Sequence, residues 1–414
     1  MTGETIELRL LYCEGWDPAE GAVVGPLTPE AARHRDASGE PYVAVLFAGG
    51  MPKLLIEVCW RYFVVTAWEF DERGRRTTRH DLRLLEDGRL LLIGQTVWRY
   101  ADADQPEFDG RAARHRRETV DDGVRVIEEP GGDRGGSRHT FERVDRESLR
   151  LAVPAFGDWT ALIRPADAGS ADVTLVVRDD LPDGVRLSFG GTPWSPPRPL
   201  RPNEPDLLFR PGARYATRWG VVTVEVHDLG VTVLPTGRVV AAGPGFFEAP
   251  VPFVAEVPAG AYPTLLSVAR WAGDEDVRVA AARLVIRDEP VASWELAVCP
   301  GQDPRTLGDG EFLGFGVEVG LAFLGDAAVV PAVKRFADDG FPGAGDVWGE
   351  SVVRVRDEES GADAFVFSSG WGDGSYPTWV GRTRDGGIGC LLADMLVLHH
   401  AEPLAAASTA GEAG

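Results

Sequence analysis

The sequence predicts a mainly β protein: two β-rich domains, built of antiparallel sheets and sandwich-like, with minor helix, joined by a proline-rich linker. Three observations carry this. The 414 residues include 50 Gly and 30 Pro, turn and strand-end residues that a helical bundle would not tolerate at that density. The apolar runs are short, rich in Val, Leu, Ile and aromatics, and bounded by Gly, Pro or Asp. The length exceeds one usual core, and 44% hydrophobic residues suffice for two.

The elements follow in order. Thr28, Pro29 and Glu30 form a helix start, with Thr28 as N-cap, Pro29 at the first helical position and acid in the first turn. Strands are expected over 42–47, 54–70, 82–85, 90–93 and 97–100, with 86–89 as a hairpin turn. In the 54–70 strand, Ile56, Val58, Trp60, Tyr62 and Val64 mark one buried face. The stretch 102–138 is polar, charge-mixed and glycine-rich, and reads as a long loop or partly ordered excursion. Pro196, Pro197, Pro199, Pro202 and Pro205 remove amide donors and favour extended backbone, so 193–212 reads as a linker. It divides an N-terminal domain, 1–192, from a C-terminal domain, 213–400. Strands there are expected over 221–226, 231–234, 265–269, 277–286, 294–298, 312–319 and 364–367. A helix over 326–337 is interrupted at Pro331. The Ala/Gly/Ser/Glu-rich end, 401–414, reads as a disordered tail.

Charge narrows the partners. The net charge is −22, and residues 201–414 alone carry 30 acids against 16 bases. Such a surface argues against nucleic acid and against an anionic membrane, both of which need concentrated positive charge. It suits a basic protein partner. Arginines at 73, 75, 76 and 79, and at 111, 114, 116 and 117, have acids interleaved and read as solvated faces. Cys13, Cys59, Cys299 and Cys390 form no CxxC pair, so neither a zinc site nor a disulfide framework is expected, and no metal or cofactor is implied. No apolar run reaches spanning length, and the first residues lack the basic start of a signal peptide. The resulting expectation is a reduced, cytoplasmic protein. Nothing in the chain sets an oligomeric state.

The densest signal is 367–381, Phe-Ser-Ser-Gly-Trp-Gly-Asp-Gly-Ser-Tyr-Pro-Thr-Trp-Val-Gly, which reads as a tightly specified turn between strands with Asp373 at its tip. Together with Pro258-Ala259-Gly260-Ala261-Tyr262-Pro263, Trp294-Glu295-Leu296-Ala297, Pro300-Gly301-Gln302-Asp303, Gly316-Val317-Glu318-Val319-Gly320, Asp326 and Asp394, it resembles the bacterial family called domain of unknown function 4241. The resemblance spans roughly 190 residues and implies a compact, mainly β domain. It departs from the family pattern at Glu318, at Gly243-Pro244 and at Met395. Residues 1–192 resemble no family.

Candidate binding residues are therefore Trp371, Asp373, Tyr376, Trp379, Glu318, Asp326 and Asp394. The four acids can serve as turn caps or, if they converge, as ligands or an acid/base pair. Asp373 is expected to accept backbone amides of its own turn. Gly314-Phe315-Gly316 with Gly320 has GxGxxxG spacing and runs on in β alternation, so it reads as a strand and not a dinucleotide loop. No catalytic set is recognisable. The leading functional reading is a non-catalytic acidic binding protein of immunity or sequestering type. The alternative is a hydrolase or small-ligand enzyme that uses the C-terminal acids.

Overall fold

The computed structural model describes residues 6–120, 123–132, 136–162, 173–177, 184–245, 248–273, 277–341 and 352–405. The described residues are mainly β with two short α-helices, and the chain forms two compact units, 1–198 and 199–414.

The first unit begins with β1 (Ile6–Asp17), β2 (Ala22–Leu27), α1 (Pro29–Ser38), β3 (Tyr42–Ala48), β4 (Met51–Cys59) and β5 (Val64–Phe70). It continues with β6 (Arg76–Leu84), β7 (Arg89–Arg99), β8 (Ala113–Val120), β9 (Gly123–Glu129) and β10 (Arg138–Glu142), then β11 (Arg150–Ala152), β12 (Val173–Val177) and β13 (Arg186–Ser188). From β3 to β10 every strand pairs antiparallel with the next. Beyond β3 the order runs β1, β2, β13, while β11 pairs β7 and β12 runs parallel to β1. The central strands are apolar on both faces. Leu10, Tyr12, Ala44, Leu46, Ile56 and Val58 pack on one side with Ala32 of α1 and Trp159. Leu11, Cys13, Val43, Val45 and Leu55 pack on the other with Leu187 and Trp194. The helix starts where Thr28 Oγ1 accepts Ala31 N, and Pro29 needs no donor at its first position.

Two expectations fail here. The 54–70 stretch is two strands: a 3₁₀ turn at Trp60–Tyr62 and Phe63, at φ 60°, reverse the chain. Apolar alternation continues through that turn, so Trp60 and Tyr62 are turn residues and not members of the face shared by Ile56 and Val58. The 102–138 stretch is not a loop, because β8 and β9 lie within it and β10 begins at its end. Strands β8 and β10 are polar because cross-strand ion pairs, Arg114–Glu129 and Arg117–Glu142, replace apolar burial, whereas β9 keeps Val124, Val126 and Ile127 buried.

The second unit comprises β14 (Arg214–Thr217), β15 (Gly220–Leu234), β16 (Val239–Ala242), β17 (Gly260–Trp271), β18 (Val277–Val285), β19 (Ser293–Leu296) and β20 (Gly314–Val317). There follow β21 (Leu321–Asp326), α2 (Val330–Asp338), β22 (Val352–Arg356), β23 (Asp363–Ser368), β24 (Gly374–Arg382), β25 (Ile388–Asp394) and β26 (Glu402–Leu404). One sheet runs β19-β24-β25-β18-β17-β15-β14-β26, with β20 on β24; a second runs β16-β21-β23-β22. The second sheet is the middle of three layers. Ala322, Leu324 and Phe367 face the large sheet, whereas Leu321, Phe323 and Val366 face Val333 and Phe336 of α2. Burial on both faces explains why β21 is buried throughout and apolar from Leu321 to Leu324 instead of alternating.

The proline-rich stretch is tied down at both ends. Trp194 N donates to Glu14 O within the first unit, and Leu200 N to Glu311 O within the second. The Asn203 amide donates to the carbonyls of Leu398, His399 and Ala401. Strand β26 pairs β14 inside the stretch read as a tail; residues 406–414 lie outside the described residues.

Candidate functional site

The turn at 369–373 is fixed by three hydrogen bonds and one steric constraint that the local sequence supplies in part. Gly370 sits at φ +71°, and a Cβ there would lie 2.8 Å from Val279 O, so no other residue fits. The Gly372 carbonyl accepts from both Ser369 Oγ and Tyr376 Oη, each at 2.7 Å. Asp373 Oδ1 accepts Gly320 N at 2.8 Å. This corrects the expectation that Asp373 binds amides of its own turn: its partner is 53 residues away, in the turn before β21. Strand β20, which leads into that turn, lies against β24, and a Cβ on Gly314 would sit 2.4 Å from Tyr376 O. Close backbone approach thus accounts for Gly314 and a left-handed φ of 65° for Gly320, whereas a Cβ on Gly316 would meet open space.

The other acids have separate partners. Asp326 is fully buried and caps the 3₁₀ turn before α2, where Oδ1 accepts Ala328 N and Thr236 Oγ1. Its Oδ2 accepts the amides of Thr236 and Gly237. Asp394 is 4% exposed; Oδ1 accepts Leu396 N at 2.9 Å, and Trp379 Nε1 donates weakly to Oδ2 at 3.4 Å. Burial pushes the Asp394 carboxyl up to about 6, outweighing those two bonds. Glu318 is exposed. Of the predicted set the structure joins Trp379 with Asp394 and Tyr376 with the Trp371–Asp373 turn, and it holds Asp326 elsewhere, against the 236–237 turn. Among the described residues no three His, Cys, Asp or Glu side chains group as a metal site.

What the rigid turn presents outward is Trp371. Its ring is 42% exposed and lies 5.0 Å, centroid to centroid, from that of Trp219, which is 55% exposed. Buried Trp271 supports Trp371 from behind at 6.1 Å. The Arg218 guanidinium lies 4.0 Å over Trp219 and that of Arg278 lies 5.4 Å over Trp371. Trp219, Arg218 and Arg278 are absent from the sequence-derived set. A signal existed for Trp219: Arg218-Trp219 is the two-residue link between β14 and β15, and a tryptophan at a hairpin tip has no layer above it.

No curated protein and no solved structure matches the chain. Residues 232–393, which carry Glu318, Asp326, Trp371, Asp373, Tyr376 and Trp379 but neither Trp219 nor Asp394, match the family model described as a protein of unknown function, DUF4241.

Proposed function

We propose that this protein is a non-catalytic binding protein whose second unit contacts a basic protein partner through the Trp219–Trp371 pair. One observation carries the reading: two tryptophans stand exposed side by side, Trp371 on a turn fixed by hydrogen bonds to the Gly372 carbonyl and Trp219 at a hairpin tip where its amide donates to Thr217 Oγ1. Tryptophan with arginine is the composition of interface hot spots. A pre-fixed turn loses little conformational freedom on binding. A net charge of −22 steers a cationic protein toward the surface. The alternative, an enzyme working through the C-terminal acids, needs carboxylates facing one cleft. It draws no support from Asp326, Asp373 and Asp394, whose oxygens are engaged by separate backbone amides.

The test uses the parent and a Trp219→Ala/Trp371→Ala variant as baits in the native host's lysate, at about 50 and 300 mM salt, salts chosen to bracket strong and weak screening. The expected outcome is a stoichiometric protein of basic pI, weakened by salt and lost from the variant. Recovery of no stoichiometric partner by the parent, or equal recovery by the variant, overturns the proposal.

A further inference from the structure

The first unit carries a cavity that the tryptophan surface of the second does not involve. It opens on the outer strands β7 to β10 and has a volume of about 500 Å³. That lies within the roughly 300–1,000 Å³ of small-molecule sites. Its wall includes Arg99, Arg114, His115, Glu128, Ser137 and Arg138. The register explains the convergence. His115 lies opposite Glu128, and Glu128 opposite Arg138, while Arg99 lies opposite Ala113, two residues along from His115. All five therefore project from one face of the sheet, because residues paired directly or two apart share a face. Arg99 and Arg138 are three strand spacings and two residues apart, about 16 Å at the backbone. That separation leaves room between two long side chains.

The charges on this face are unevenly matched. Most arginines from 73 to 150 are held by acids or carbonyls: Arg75 by Asp71, Arg76 by Glu107, Arg89 by Glu147, Arg117 by Glu142. In the cavity itself Arg114 is paired with Glu129. Among the described residues no ion pair holds Arg99 or Arg138, and the acid on the face between them is Glu128, which lies 3.9 Å from His115. Two guanidinia against one carboxylate leave the face positive. This occurs in a chain whose overall field repels anions. Ser137 adds a hydroxyl, 2.7 Å from His139 Nε2. Guanidinium forks match the paired oxygens of phosphate and carboxylate.

We propose that this cavity binds a small organic molecule through an oxyanion group, phosphate or carboxylate, held between Arg99 and Arg138. The oxyanion sits between the two guanidinia with Ser137 as a further hydrogen-bond donor, and the rest of the molecule fills the remaining volume beside Ala113 and Pro130. The site is independent of the tryptophan surface, so failure of either leaves the other standing.

The experiment titrates the intact protein by calorimetry with inorganic phosphate and, separately, with citrate. Both titrations are run on the parent, Arg99→Ala, Arg138→Ala and the double variant. Both arginines are exposed, so the variants should melt with the parent in the absence of ligand. Saturable one-to-one binding of either probe, weakened about tenfold by each single change and lost in the double variant, is expected. Which probe binds identifies the group. No binding of either probe by the parent, or unchanged binding by the double variant, overturns the inference.

Discussion

The two units handle their charges in opposite ways. In the first, acids and arginines meet on the open outer strands, as in Arg117–Glu142 and Arg89–Glu147, where water shares the work. In the second, carboxylates are drawn inside and given to the backbone. Asp326 and Asp363 are fully buried; Asp326 serves the 236–237 turn, and Asp363 accepts Val233 N while pairing with Arg354. An acid on those outer strands is therefore an exchangeable surface feature. Asp326 and Asp363 are struts that join segments far apart in sequence. The resemblance of the second unit to a family rests on its acids and glycines, and the structure gives most of them structural work.

Substitutions can break this contrast, beginning with the largest expected effect. Asp326→Ala strands three amides and a hydroxyl in the interior and should cost about 3–5 kcal/mol. Urea titration reads this as a lowered midpoint, and a cost under about 1 kcal/mol would contradict the strut.

Asp394 comes next, because its carboxyl is raised from 3.8 to about 6 by burial. The folded state favours the protonated form, so the stabilisation is fully present below about pH 4. It is lost as pH rises to about 6 and stays lost above, a change of about 3 kcal/mol. Asp394→Asn should flatten that dependence, and unchanged pH curves for parent and variant would refute the assignment. The first unit has a counterpart in Glu57, pushed up to about 7 by burial against the Trp68 hydrogen bond and the nearby Arg79 and Arg76. Its window therefore lies higher, between about 4.5 and 7. Glu57→Gln should remove the upper part of the slope and Asp394→Asn the lower.

Asp373→Ala removes one bond, to Gly320 N, and should cost about 1–2 kcal/mol by thermal or urea melting. The smallest effect belongs to the first unit. Glu142→Gln breaks only the surface pair with Arg117 and should change stability by less than about 0.5 kcal/mol, vanishing in high salt.

Much of the fold was legible in short apolar runs between turn residues. The α1 start could be read because Thr28, Pro29 and Glu30 act locally. Strands β8 and β10 were not legible, since apolar alternation is the signal for a half-buried strand and these two bury little; between them β9 does bury Val124, Val126 and Ile127. The reversal at 60–63 was hidden because Phe63 takes a left-handed angle that glycine usually signals. At the candidate site, Gly370 and Tyr376 could be read as turn architecture. The partner of Asp373 could not, because it enters from another strand. That Trp371 faces outward while Trp379 is buried depends on layers that no single segment encodes.

The hydrogen bonds of Asn203 to the carbonyls of Leu398, His399 and Ala401 have a mechanical consequence. They and the antiparallel β14–β26 pairing, with Arg214 opposite Leu404, bring the entry and exit of the second unit to the same end of one strand pair. Tension applied across those two points loads the ladder rung by rung, as a zipper is opened, rather than in shear. The unit should thus yield from this edge at low force, with β26 peeling away before the buried sheet is stressed.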